Sequence, residues 1–333
     1  MNLHQQFTID SSGTEVRIGF VGDLHLNTAT PKSRIDNYPE TLVEKLESLR
    51  ILCLNNDIKY LVFLGDIFHK PAQPVSFIYQ VLQKFLDFKN SGIQCYAISG
   101  NHDISFESLD TLSKSALGIL FEVNALVPFS DIYVKGTRTP VHIKGFHYTE
   151  EPTEPDDFTY YNIMVAHMFY EFDLSKESLN KEDLARLKYN MVVLGHDHTP
   201  YDLLTEDTIS GKVRVVRPGS FSRGTSHSYN INRSIFIDVL NINGQINIKR
   251  FVVPSKPSDQ IFSSTVLDNT DLKELNKELS EQFIDLVNRI YSQDTSSFDV
   301  YQALDSSTAS QEVKDRIVMY LEQSGIFRKD LTK

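Results

Sequence analysis

Basic residues are in short supply in this chain. Its 333 residues hold 33 Lys and Arg against 44 Asp and Glu, a formal net charge of −11. Tight, unaided binding to nucleic acid normally rests on a basic surplus, so that class is disfavoured. An enzyme that reaches an anionic substrate through bound cations, or through a partner, is not. Cysteine is nearly absent. Cys53 and Cys95 both sit in apolar surroundings (RILCLNN and GIQCYAI), which reads as two buried thiols rather than a disulfide or a metal pair. No apolar run approaches the roughly 20 residues needed to span a bilayer. The opening MNLHQQFTIDSSGTEV has neither the basic start nor the apolar stretch of a signal peptide. Internal repeats and low-complexity segments are also missing. These absences point to a cytoplasmic protein of a reducing compartment, with no membrane attachment.

What is present is ordinary globular composition, 41% apolar and 23% charged, enough for one large domain and a smaller one. After a polar leader of about a dozen residues, VRIGFVG (16–22) reads as a buried strand. Leu42, Leu46, Leu49 and Cys53 recur at helical spacing within 38–56, and 74–92 is a second amphipathic helix stopped by Gly92. YLVFLG (60–65) and IQCYAISG (93–100) are strands between and after them. Strand, helix, strand, helix, strand predicts a parallel sheet covered by helices. A hairpin-like region follows at 125–148, then strands at 161–168 and 190–195 around a helix at 179–189 with Asn180 as its N-cap. Strand-rich sequence fills 201–253, PSKPSD (254–259) looks like a linker, and helices are expected at 271–291 and 310–325. The expectation is an α/β protein: a two-layered β-sheet core flanked by helices over residues 15–253, with a short, mainly helical tail over 258–333.

Five polar clusters stand at the carboxyl ends of expected strands or just beyond. They are GDLH (Asp23, His25), GDIFH (Asp66, His69), GNHD (Asn101, His102, Asp103), VAHM (His167) and GHDH (His196, His198). Taken singly each is weak, since Gly-Asp is a common turn pair and a lone histidine on a strand is usually structural. Their conjunction in order is another matter, because a buried charge needs a partner and this edge of an open α/β sheet is where ligands bind. Two of these carboxylates (Asp23, Asp66), the Asn101 amide and four of the imidazoles (His25, His167, His196, His198) form a mixed oxygen and nitrogen donor set without thiolate. That set suits manganese, iron or zinc better than calcium or structural zinc. Seven donors exceed the needs of one tetrahedral ion. Two ions sharing a bridging carboxylate would use them all, and such a pair clamps a phosphoryl group and makes water nucleophilic near neutral pH.

These motifs, D-x-H, G-D, G-N-H-D, a lone H and G-H-x-H, resemble the signature of the calcineurin-like metallophosphoesterase family over roughly residues 16–240. The resemblance implies one ion held by Asp23, His25 and His198, a second by Asn101, His167 and His196, and Asp66 bridging them. It implies His102 as the acid or transition-state donor at the phosphoryl oxygens, with Asp103 orienting it.

Within the family the sequence is most similar to the SbcD-type nuclease subunit of the double-strand-break repair complex. The feature that carries this is His69, three residues after Asp66. By that resemblance His69 places the DNA phosphate, and Arg217 and Arg223 of RPGSFSR (217–223) contact backbone phosphate. It further implies a manganese-dependent DNA exonuclease or endonuclease, a homodimer, and an SbcC-like ABC-type ATPase as partner, in the cytoplasm of a bacterium or of a phage-infected host. Helices 38–56 and 74–92 are the candidate dimer contact. The apolar stripe Leu275, Leu279, Phe283, Leu286 and Ile290 fits a partner helix or the chain's own body. Two rivals are weighed beside this. One is a phosphatase or cyclic-nucleotide phosphodiesterase on the same dinuclear scaffold, against which His69 argues; the other is a metal-stabilised scaffold without turnover, which a missing ligand would have favoured.

Overall fold

The computed structural model describes residues 1–263 apart from 14, 172–177 and 225–227. They lie in the first of the chain's two units, Met1–Leu267; the second is Asp268–Lys333. The helices expected at 271–291 and 310–325, and the apolar stripe on the first of them, lie outside the described residues.

Strands β2 (Val16–Val21), β3 (Tyr60–Phe63) and β4 (Gln94–Ala97) are parallel neighbours, joined by helices α1 (Tyr38–Asn55) and α2 (Val75–Asn90). The short β5 (Val127–Pro128) extends this sheet on one side; β14 (Ile235–Ile242), antiparallel to β2, and β15 (Ile246–Val253), antiparallel to β14, extend it on the other. The order in this six-stranded sheet is β15-β14-β2-β3-β4-β5.

A second, seven-stranded sheet is built from β1 (Gln6–Asp10), β6 (Asp131–Lys135), β7 (Val141–Phe146), β8 (Tyr161–His167), β11 (Met191–Gly195), β12 (Tyr201–Thr208) and β13 (Gly211–Arg217), in the order β1-β6-β7-β8-β11-β13-β12. Two-residue strands β9 (Phe169–Tyr170) and β10 (Ser178–Leu179) pair beside it. Between β6 and β7 lies the hairpin that the sequence suggests, antiparallel with Asp131 opposite Lys144. The leader is the difference: Gln6–Asp10 forms a strand parallel to β6, because Phe7 and Ile9 of the polar stretch QFTID alternate toward the core.

Strand alternation assigns the layers. Leu61 and Phe63 of β3 pack with Leu42, Leu46, Leu49 and Cys53 of α1 and with Val81, Phe85 and Phe88 of α2. Their neighbours Val62 and Leu64 face the other way, into a core between the sheets with Ile163, Val165, Met191 and Val193. Met164, Ala166, Val192 and Leu194 face outward again, onto α4 (Lys181–Leu187) through Leu184 and Leu187. The result is helix, sheet, sheet, helix, the expected two-layered core. Each fully buried large apolar side chain stabilises it by about 1.5–3 kcal/mol. Asn180 caps α4, its side chain accepting from the Asp183 N–H at 2.9 Å while the Asp183 carboxylate accepts from the Asn180 N–H at 3.1 Å. Cys53 and Cys95 are both buried and free. Among the described residues, no helix is long and apolar enough to cross a membrane.

Candidate metal centre

Register brings the polar clusters to one place. In the six-stranded sheet β2, β3 and β4 run in parallel, so Asp23 and His25, Asp66 and His69, and Asn101 to Asp103 all emerge at the same edge. In the seven-stranded sheet β8 and β11 are parallel with His167 opposite Gly195, which sets His196 and His198 beside His167. The two edges meet, and the donor set comes from both sheets.

Backbone pairing continues beyond the strands and stiffens these loops. The His25 N–H donates to the Asp66 carbonyl at 2.9 Å, the Leu26 N–H to the Ile67 carbonyl at 3.0 Å and the His69 N–H to the Leu26 carbonyl at 3.0 Å. His25, Asp66 and His196 hold left-handed backbone, with φ of 47°, 48° and 82°. For side-chain-bearing residues this costs roughly 1–2 kcal/mol each, strain of the kind that clusters at functional sites. Gly100 is required for space: a Cβ there would lie 2.2 Å from Asp66 Oδ1.

Three groups with ligand spacing result among the described residues, one of them His25, His69 and His102 on the cavity side. Asp23, His25 and His198 place one donor atom each within 4.8 Å of one another, as do Asp66, His167 and His196. His25 Nε2 and His198 Nε2 are 2.8 Å apart, and His167 Nε2 is 3.1 Å from both His196 Nδ1 and Asn101 Oδ1. Adjacent ligands around an ion with bonds of about 2.1 Å lie about 3 Å apart. His25 Nε2 and His167 Nε2 approach Asp66 Oδ2 at 3.6 and 3.4 Å, which puts that oxygen between the two groups.

Electrostatics call for cations at both points. Asp23 is fully buried; its Oδ1 accepts the His196 N–H at 2.9 Å, and its Oδ2 is buried without a hydrogen-bond partner. Burial, with the Asp66 charge added, raises the Asp23 pKa above the ordinary range. Burial opposes a charge on His167, yet Asp66 and Asp23 outweigh it and lift that imidazole to about 9. Burial likewise works against the Asp66 charge, but His167 and then His25 hold its carboxyl well below the usual range. His25 and His196, chiefly through burial, fall to about 3 and stay neutral with lone pairs to offer. His167 Nδ1 donates to the Leu64 carbonyl at 2.7 Å, which directs Nε2 to the cluster, the arrangement common behind metal-bound histidine. The orphaned Asp23 oxygen and the converging nitrogens fit a pair of divalent ions: Asp23, His25 and His198 would hold one, Asn101, His167 and His196 the other, and Asp66 would lie between.

Two expected roles need correction. Asp103 is fully buried, and its hydrogen bonds run to backbone rather than to the His102 ring. Its carboxylate accepts the N–H groups of Gly100 (2.9 Å), Phe68 (3.0 Å) and Ile67 (3.2 Å), stitching the loop after β3 to the loop after β4. Burial, reinforced by Asp66, pushes it up to about 7 against those bonds. The His102 ring is fixed instead by Nδ1 at 2.8 Å from the His69 carbonyl, and the His102 N–H donates to Asp66 Oδ1 at 2.9 Å. The arginines are the second correction. Arg217 is buried, packed over the Tyr201 ring and paired with Asp197 at 2.5 Å. Arg223 is buried and donates to the Ile231 and Lys256 carbonyls and to Ser258 Oγ. Both guanidinium groups are committed to the protein interior, so neither meets phosphate.

His69 and His102 are half-buried and stacked, ring centroids 5.0 Å apart at 21°. With His25 and His198 they line one side of a cavity of about 350 Å³; Asn27, Tyr38, Ser222 and Asn230 also line it. The sequence reading named none of these last residues, nor Ser220, whose hydroxyl donates to the Asp23 carbonyl at 3.0 Å, although it singled out the segment RPGSFSR (217–223) that holds Ser220 and Ser222. Nothing about their residue types marks them; only the fold brings them there.

No curated protein sequence matches the chain. Among solved structures, TT1561 of Thermus thermophilus is similar at 12% sequence identity and a TM-score of 0.43, over 72% of this chain and 100% of that one. The family profile described as calcineurin-like phosphoesterase matches residues 16–200. Over half of the chain, ligand clusters included, lies within that match, and the chain belongs to the calcineurin-like phosphoesterase family, whose members hydrolyse phosphoesters on a metal-dependent scaffold.

Proposed function

We propose that this protein is a manganese-dependent DNA nuclease that works as a homodimer with an SbcC-like ABC-type ATPase. The observation that carries the reading is the stacked pair of His69 and His102 on the wall of the cavity that also exposes His25 and His198. When bound, the two ions supply Lewis-acid stabilisation of phosphoryl charge and lower the pKa of water. The chain's own residues do the rest. His102, its Nδ1 held against the His69 carbonyl, presents Nε2 to the phosphodiester and hands a proton to the departing oxygen. His69 sits on the same wall and hydrogen-bonds a non-reacting phosphate oxygen, fixing the strand for in-line attack. Burial lowers the His69 pKa, so it serves as a neutral donor rather than a second cation.

Net charge of −11 supports the need for a partner to grip DNA. A second copy is expected to meet α1 and α2, where Ile51, Leu54, Val75 and Tyr79 are exposed. The Ala116 N–H, at the start of α3 (Ala116–Glu122), donates to the Pro71 carbonyl at 2.7 Å on the approach to α2.

Hydrolysis by the purified chain in manganese tests the reading, with a single-stranded oligonucleotide, a cyclic nucleotide and an aryl phosphate ester as substrates. Oligonucleotide cleavage lost in both His102→Ala and His69→Ala, and in chelator, supports the nuclease. Cyclic-nucleotide turnover indifferent to His69→Ala moves the protein to the small-molecule branch.

A further inference from the structure

Every expected ion site draws on both sheets, so something must hold the two edges in register before an ion arrives. On the side of Asp23, His25 and His198, that link is the turn after β13. The Ser220 N–H donates to the His198 carbonyl at 3.0 Å, while its hydroxyl donates to the Asp23 carbonyl at 3.0 Å. One residue thus holds the backbone of a ligand from each sheet. The Phe221 N–H adds a second bond to the Asp23 carbonyl at 2.9 Å. The turn is wedged tightly: a Cβ on Gly22, the residue before Asp23, would meet the Gly219 carbonyl oxygen at 2.1 Å.

The start of the turn is anchored as firmly. Asp197 lies between His196 and His198; its Oδ1 accepts the Thr199 N–H at 2.9 Å and its Oδ2 pairs with Arg217 at 2.5 Å. Arg250 donates to the carbonyls of Arg217 and Tyr201, and its guanidinium forks onto Asp238 at 2.8 and 2.9 Å. Asp238 is buried on β14 opposite Phe20 of β2, the strand that leads to Asp23. The path from β2 through Asp238, Arg250, Arg217 and Asp197 to His198 therefore closes around the same site that Ser220 spans directly. On the other side, His167 is fixed by the Leu64 carbonyl and the Asp66 loop by Asp103; His196 of that site borders the turn's partners, its N–H donating to Asp23 Oδ1 and Asp197 following it, but its neighbours in that site are held from elsewhere.

We propose that residues 217–221 position the site of Asp23, His25 and His198 and set its ion affinity separately from that of its neighbour, with Ser220 as the joining residue and Arg217 as its anchor. The inference rests on the two-ion reading of the centre. Manganese is titrated by calorimetry into the chelator-stripped full-length protein, and the loaded states are followed by electron paramagnetic resonance. Wild-type protein, Ser220→Ala, Arg217→Gln and Arg217→Lys are compared, with His198→Ala and Asn101→Ala as references for loss of either site. Removing groups behind ligands typically weakens metal binding about 10- to 100-fold. Ser220→Ala should weaken one site by that factor, match the His198→Ala pattern, and convert the spectrum of an interacting pair into that of an isolated ion. Arg217→Gln should act in the same direction and Arg217→Lys should recover part of the loss. Equal weakening of both sites, or two wild-type affinities in Ser220→Ala, overturns the proposal. If Arg217→Gln does not fold, Ser220→Ala, which removes only a hydroxyl, decides alone. A wild type that binds fewer than two ions would instead overturn the two-ion reading itself.

Discussion

Replacing Asp103 separates two accounts of the residue beside His102. If Asp103 oriented the imidazole, Asp103→Ala would lower turnover and leave stability nearly intact. The structure gives the carboxylate a different task, as acceptor for the Ile67, Phe68 and Gly100 N–H groups. Truncation leaves three buried donors unpaired, each costing about 1–3 kcal/mol. Local relaxation recovers part of that, and the release of a buried carboxyl recovers more, so a net loss of about 4 kcal/mol follows. For a domain of this size about 2–4 °C of melting temperature accompanies each kcal/mol, which gives a drop of roughly 8–16 °C. Asp103→Asn should recover part of the loss, because its amide oxygen can still accept the Ile67 and Gly100 N–H groups while its NH2 faces the Phe68 N–H. Differential scanning calorimetry of the metal-free proteins reads the effect without interference from turnover. The reasoning fails if Asp103→Ala melts within about 2 °C of wild type while its turnover number collapses.

Other consequences are equally direct. Gly100→Ala drives a methyl group into Asp66 Oδ1; overpacking of this kind costs about 1–3 kcal/mol, and calorimetric titration should show both ions weakened, since the same carboxylate turns its other oxygen, Oδ2, between the two ligand groups. His147 is buried, accepts the Ser99 N–H at 3.0 Å, and is pushed down to about 3 by burial. Between that value and its ordinary 6.5 the unfolded chain binds the extra proton. Stability therefore falls as pH drops below about 6.5, by up to about 1.4 kcal/mol per unit; urea titrations at stepped pH should show this slope flattened in His147→Asn. Manganese at about 100 times its dissociation constant should stabilise the native state by about 2.7 kcal/mol per site, and a chelator should reverse the rise in melting temperature.

The candidate ligands were legible together rather than singly: Gly-Asp alone is a common turn pair, but five clusters of Asp, Asn and His recur in order where apolar runs end. The same logic could not see what orients them. His102 leans on the His69 carbonyl and His167 on the Leu64 carbonyl, and a main-chain oxygen leaves no trace in residue type. Charge misled in the opposite direction: Arg217 and Arg223 read as phosphate contacts, but the fold buries both against partners distant in the sequence. The strand Gln6–Asp10 was hidden because its partner β6 begins at Asp131, beyond any local pattern.

Because each ion would take ligands from both sheets, the centre is also a rivet across the interface between them. His25 and His198 stand 173 residues apart in the chain, so the site cannot exist until most of the domain has been synthesised and both sheets have met. An emerging or partly unfolded chain would present Asp23, His25, Asp66 and Asn101 as half a site with weak hold on metal. Full affinity then arrives only with the native topology, which makes the bound ions a report on completed assembly, and makes parting of the sheets and loss of the ions a single event.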